Sequence, residues 1–196
     1  MHIALEEAGI PFKGVEVSWQ RGLNVKELET VNPMGQVPTI VDGDKVLTQM
    51  HAVLEWVADH GKKKLLPEAG TWERSQATRW LSFVATDLQK SFSPIFRATT
   101  WTKDEAAQNA IKAACRQSIE KALAEADHQL EGRDFMLGKN FSVVDAHLFV
   151  VVGWCKMAEI RIGKFTHLAS FMRRVNALPS VQKVLAAEGM SDYVPA

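Results

Sequence analysis

The sequence has 196 residues, 46% hydrophobic and 23% charged, a length and balance that support one or two domains with a proper core and exclude a disordered tail. Lysine plus arginine and aspartate plus glutamate are equal at 23 each, so the formal net charge is zero. Without a long basic block, the chain offers no electrostatic footprint for nucleic acid. The longest apolar run, residues 141–155, is broken by Asp145 and His147 and is too short to cross a bilayer. The start, residues 1–7, already follows an acidic helical pattern with no secretory leader, which predicts a cytoplasmic protein. Its two cysteines, Cys115 and Cys155, fall in helical patterns without metal-type spacing. Two reduced, mostly buried thiols and no metal are expected.

In chain order, residues 2–9 read as a short helix ended by Gly9, with Pro11 beyond it as a stop. Residues 12–19 alternate apolar and polar, with Val15, Val17 and Trp19 on one side, and predict a strand. A loop at 20–22 and a short helix at 23–30 follow. From Asn32 to His60 the chain shows a turn signal (Asn32, Pro33, Gly35), an apolar run at 37–41, a tight Asp42-Gly43 turn and a second run at 45–47. A helix then presents Val53, Leu54, Trp56 and Val57. Asp-Gly between two β-branched runs signals a hairpin, with positive φ expected at both central residues. Pro38 removes a ladder donor. As a first strand residue it leaves the backbone groups of Val37 free to pair with something other than the sheet.

Residues 61–70 lack any period and carry a proline and two glycines, the composition of a linker. Lys62, Lys63 and Lys64 there fit either a solvated surface or a phosphate contact. Everything beyond Trp72 reads as helix. Residues 73–98 carry Leu81, Val84, Leu88, Phe92 and Ile95 at three-and-four spacing, and residues 103–130 repeat this with Ile111, Cys115, Ile119, Leu123, Ala126 and Leu130. Ser142 followed by Asp145 fits a capping box, so Asp145 is read as a cap and not a catalytic acid. Residues 146–154 are apolar nearly all round, as the buried centre of a helical domain would be. Helices at 164–176 and 180–188 close the chain, with Pro179 between them.

The order Asn-Pro-x-Gly-Gln-Val-Pro, hairpin and helix, followed by a linker and helices with a Ser-x-x-Asp box, resembles the glutathione S-transferase family, closest to its bacterial beta class. The resemblance covers essentially the whole chain. It implies a fold that is α+β and then all-α: a thioredoxin-like glutathione-binding domain at 1–61, a linker at 62–71 and an all-helical domain at 72–196. It also implies a cis Val37-Pro38 bond, with the Val37 backbone pairing to the cysteinyl part of glutathione. From the residues alone, an ordinary hairpin with an edge proline fits as well.

The sequence departs from that pattern at three places. The family's first strand and its loop, which holds the residue addressing the glutathione sulfur, have no counterpart before the helix at 2–9. The only tyrosine is Tyr193, neither cysteine matches the position, and Ser18 is a poor substitute, so the catalytic residue is unknown. That strand is central in the family's sheet, and buried backbone groups left without partners cost about 1–3 kcal/mol each. Either further residues lie upstream, or the strand at 13–19 shifts inward so that 15–18 pairs with 38–41. Second, Gln49-Met50 stands where the family has an acid and a serine for the γ-glutamyl end. Third, Gln89 stands where beta-class members usually have a histidine, and glutamine cannot act as a base.

Two functions follow from the resemblance. One is a homodimeric transferase conjugating glutathione, its co-substrate, to small hydrophobic electrophiles in detoxification. Val37, Pro38, Gln49 and Met50 would bind the tripeptide. Arg21 either reaches its glycine carboxylate or is merely solvated. Phe92 and Phe96 either line a cleft between the domains or belong to the core. The other is a catalytically impaired dimeric interaction protein of the same fold. Neither implies a membrane or nucleic-acid partner.

Overall fold

The computed structural model describes residues 1–190 and 193–196 and divides into two compact units, Met1–Leu66 and Pro67–Ala196. The first unit holds α1 (His2–Ala8), α2 (Val25–Val31), β1 (Thr39–Asp42), β2 (Lys45–Thr48) and α3 (Met50–His60). α1 ends at Gly9, whose φ of 67° is left-handed and suits a residue without Cβ. α1 buries Ile3, Ala4, Leu5 and Ala8, and α3 buries Val53, Leu54, Val57 and Ala58, each set at the spacing of one helix face. Trp56 is only half-buried; its ring instead stacks on His60 at 4.6 Å. Gly61 lets the chain return close to α1: a Cβ there would lie 2.6 Å from Ala8 Cβ. The Lys62 amide donates to the Ala8 carbonyl at 2.8 Å and Lys63 pairs with Glu7, so Lys62 and Lys63 join the loop after α3 to α1.

β1 and β2 form a two-stranded antiparallel sheet in the register Thr39↔Thr48, Ile40↔Leu47, Val41↔Val46, Asp42↔Lys45. Asp42 is therefore the last residue of β1, and the two-residue turn is Gly43-Asp44 instead of the expected Asp42-Gly43. Gly43 alone has positive φ, at 60°. A glycine at the first central position is what a type II′ turn needs, so only one left-handed residue is required, not two.

The expected strand at 12–19 does not form, and 15–18 does not pair with 38–41: that segment carries only an isolated bridge from Ser18 to Leu23. Ser18 and Leu23 exchange both backbone bonds, at 3.0 and 2.9 Å, and the Asn24 side-chain Nδ2 donates to the Glu16 carbonyl at 2.8 Å. Alternation marks a face but supplies no partner. These backbone groups bond within the loop, and Val15 and Trp19 stay exposed.

The second unit is helical. α4 (Trp72–Phe83) is capped by Thr71, whose hydroxyl accepts from the Arg74 amide at 3.1 Å. It passes through a π-helical turn, Val84–Gln89, into α5 (Lys90–Trp101), which contains Pro94. The expected single helix over 73–98 is thus wider by one residue in its middle turn. Leu81, Val84, Leu88 and Phe92 are buried, while Ile95 is half-buried. α6 (Glu105–Gln129) starts at Asp104, which accepts from the Ala106 amide at 2.9 Å. Only its C-terminal half is buried (Ile119, Ala122, Leu123, Ala126), so Cys115 is half-buried whereas Cys155 is fully so.

α7 (Val143–Met157) is buried along most of its length. Its capping box closes as the sequence indicates. The Asp145 carboxylate accepts from the Ser142 amide (2.8 Å), the Ser142 hydroxyl (2.6 Å) and the Met136 amide (2.7 Å). Burial nevertheless outweighs these bonds and pushes its pKa up to about 6. Desolvation likewise pushes Cys155 up to about 12. α8 (Thr166–Asn176) and α9 (Pro179–Ala187) follow; Pro179 is the first residue of α9, where a missing amide costs nothing. Tyr193 packs where Gly153 leaves room on α7, donating its hydroxyl to the Val150 carbonyl at 2.7 Å. No helix among the described residues is long and apolar enough to cross a membrane.

Candidate functional site

The hairpin register brings the first-unit candidates together. Thr39 pairs with Thr48, so Val37-Pro38 enters and Gln49-Met50 leaves at the same end of the ladder. The Val37-Pro38 bond is cis, and Val37 is 55% exposed. Among the described residues, neither the amide nor the carbonyl of Val37 takes part in a hydrogen bond. Opposite, Gln49 is the N-cap of α3, and no side chain caps the helix. Its first amides therefore point out of the helix with the positive end of the dipole behind them. Gln49 holds φ 70° and ψ 118°, a region that a non-glycine residue rarely adopts and that is often stored at binding sites.

One residue sequence reasoning treated only as part of a turn is central here. Asn32 is 6% exposed. Its Nδ2 donates to the Gln36 carbonyl (2.8 Å) and to Thr39 Oγ1 (3.2 Å), and its Oδ1 accepts from the Met34 amide (3.2 Å). Thr39 Oγ1 also donates to the Gln36 carbonyl at 2.9 Å. A single buried amide thus ties together the loop that carries Val37. The usable signal was an asparagine that starts a turn seven residues before the strand, since its side chain can replace backbone partners.

Arg21 lies at the tip of the loop closed by Ser18 and Leu23. Its guanidinium pairs with Glu16 and its Nε donates to Ser18 Oγ at 3.3 Å, all on the surface. In the helical unit, Phe92 is fully buried and Phe96 is 44% exposed. They stack at 5.9 Å, and both meet the Trp154 ring edge-on, at 5.8 and 6.2 Å. Phe92 is core, whereas Phe96 opens the cluster to the surface. Gln89, at the end of the π turn, accepts from His147 Nε2 at 2.8 Å; nothing in the sequence joins these two positions. Among the described residues no group of three or more metal-ligating side chains occurs.

Family models described as "Glutathione S-transferase, N-terminal domain" and "Glutathione S-transferase, C-terminal domain" match residues 1–60 and 83–179. Glutathione S-transferase GstA of Escherichia coli O157:H7 is 32% identical over 193 residues, covering 96% of this chain and 92% of that one. The chain belongs to the glutathione S-transferase family. Among solved structures, this transferase chain is similar to the bacterial transferase BphK in a ternary complex (37% identity, TM-score 0.84, 96% of this chain and 92% of that one). It is also similar to a sphingomonad glutathione S-transferase complexed with glutathione (32% identity, TM-score 0.84, 97% and 93%). A beta-class transferase of Sphingomonas chungbukensis matches at 33% identity and TM-score 0.83, over 96% and 92% of the two chains. The transferase fold is thus a small thioredoxin-like sheet-and-helix unit followed by a helical one.

Proposed function

We propose that this chain is a glutathione transferase that conjugates glutathione, its co-substrate, to small hydrophobic electrophiles. In this reading residues 1–61 bind glutathione, 62–71 link, and 72–196 hold the electrophile. The observation that carries it is the shared ladder end, where the free backbone groups of Val37 and the uncapped start of α3 lie on either side of the Thr39–Thr48 pair.

An extended cysteinyl peptide unit would bond the Val37 amide and carbonyl as a strand does. The γ-glutamyl carboxylate would meet the Met50 amide at the helix start, and the Gln49 side-chain Oε1 would accept from the α-ammonium. Pro38 shapes this edge without an amide of its own. Arg21 would take the glycine carboxylate by exchanging Glu16 for it. The aromatic surface at Phe96 and Trp154 would hold an apolar electrophile. A free thiol with pKa ~8.5 is only a few per cent ionised at neutral pH, so the rate depends on what further lowers that value. The reading extends to a cytoplasmic homodimer acting in detoxification, as is usual in this family. Conjugation of glutathione to chlorodinitrobenzene, followed by absorbance, tests it. Turnover above the uncatalysed rate is expected; glutathione binding without turnover would contradict it.

A further inference from the structure

The peptide unit between Gln36 and Val37 is held from one side. Its carbonyl, that of Gln36, accepts from Asn32 Nδ2 at 2.8 Å and from Thr39 Oγ1 at 2.9 Å, so both of its lone pairs are in use. Asn32 Nδ2 also donates to Thr39 Oγ1 at 3.2 Å, which closes a three-cornered network around that carbonyl. Asn32 is itself anchored: its backbone amide donates to the Leu28 carbonyl of α2, and its own carbonyl accepts from the Gly35 amide, each at 2.8 Å. At 6% exposure it has little water to exchange these bonds for. Among the described residues the cis bond is Val37-Pro38, so the Gln36–Val37 bond before it is trans. In a planar trans peptide the N–H points opposite to the C=O. Holding the Gln36 carbonyl against Asn32 therefore aims the Val37 amide outward, on a residue 55% exposed.

We propose that Asn32 and Thr39 are positioning residues for glutathione: together they fix the plane of the Gln36–Val37 peptide so that its N–H meets the cysteinyl carbonyl of the bound tripeptide. The proposal rests on the transferase reading. Both side chains act through the Val37 amide and not by touching the ligand. The N–H is held in its bonding direction before glutathione arrives, so binding does not have to arrest a rotating peptide. Two donors on the Gln36 carbonyl also polarise the amide and make its N–H a stronger donor. A peptide turned the other way would set the Val37 amide against the Asn32 donors. It would also present a carbonyl, not an N–H, to the cysteinyl carbonyl, and two acceptors form no bond.

Thr39→Val removes the hydroxyl at nearly constant shape, whereas Thr39→Ser keeps the hydroxyl and removes the methyl group. Asn32→Asp keeps an acceptor for the Met34 amide and removes both donors. Glutathione binding is measured by calorimetry, helix content by circular dichroism, and the Val37 amide proton is followed by NMR in isotope-labelled protein. Affinity should fall about threefold in Thr39→Val and about tenfold in Asn32→Asp, with Thr39→Ser close to wild type. The Val37 proton should move downfield on glutathione addition in wild type, and by less in Thr39→Val. If Asn32→Asp does not fold, the two Thr39 variants decide alone. Equal affinity in Thr39→Val and Thr39→Ser, the mark of a merely structural side chain, overturns the proposal, as does an equal movement of the Val37 proton in wild type and Thr39→Val. With wild type binding glutathione, either result defeats this proposal alone. If wild type does not bind glutathione, the transferase reading fails with it.

Discussion

Replacing Asp145 by alanine removes the acceptor that holds the start of α7. The amides of Met136 and Ser142, residues 0% and 4% exposed, lose their partner. Each orphaned buried amide costs about 1–3 kcal/mol, so the geometry alone assigns about 2–6 kcal/mol to the change. An opposing effect is present at neutral pH. Burial raises the carboxyl from 3.8 to about 6, a shift worth about 3 kcal/mol against the ionised form, and alanine relieves it. Because the folded pKa lies above the unfolded one, the folded chain takes up a proton, between pH 6 and 3.8, that the unfolded chain does not. This contribution is fully present below 3.8 and is lost as pH rises through about 6. Wild type should therefore gain about 1 kcal/mol over Asp145→Ala between pH 7 and pH 5. Urea unfolding followed by circular dichroism at the two pH values reads the difference. A gap that narrows on acidification would refute the reasoning, since it would mean that the ionised carboxylate is the stabilising form.

Gly61→Ala forces a methyl group to 2.6 Å from Ala8 Cβ and 3.0 Å from its carbonyl oxygen. It should cost about 1–3 kcal/mol in a thermal or urea melt; an unchanged melt would show that α1 and the chain after α3 separate freely. Gln49→Gly relaxes the φ of 70° and should raise stability by about 1 kcal/mol while weakening glutathione binding in calorimetry; a variant that loses stability would remove the case for strain there. A thiol reagent at pH 8 should label half-buried Cys115 quickly and leave Cys155, buried and pushed up to about 12, unmodified in the folded chain. Rapid labelling of both would contradict the burial of α7.

Much of the fold was legible because its signals are local. Gly9 marks the end of α1, a Ser-x-x-Asp box opens α7, and a three-and-four spacing marks the buried side of α3. The strand expected at 12–19 was not, because strand formation needs a partner and alternation names none; Ser18 and Leu23 bond each other instead. The turn slipped by one residue because Asp-Gly is compatible with both registers, and the pairing of Asp42 with Lys45 decides between them. At the site, Val37, Pro38, Gln49 and Met50 could be grouped by motif, and the ladder register then joins them. Asn32 acts through side-chain bonds to residues up to seven positions away, and Gln89 meets His147 across 58 positions. Such partners are set by packing, so a periodicity carries no trace of them. Phe92 and Phe96, alike in sequence, part company because one faces the core and the other the surface.

Calorimetric titration of glutathione into wild type and Met50→Pro probes the backbone groups beside Pro38 and the amides at the start of α3. Proline is tolerated at the first helical position but removes one donor from the anion site. Saturable binding to wild type, weakened about tenfold or more in a variant of unchanged helix content, is the predicted result. No binding to wild type, or equal affinity in the two chains, would contradict the account.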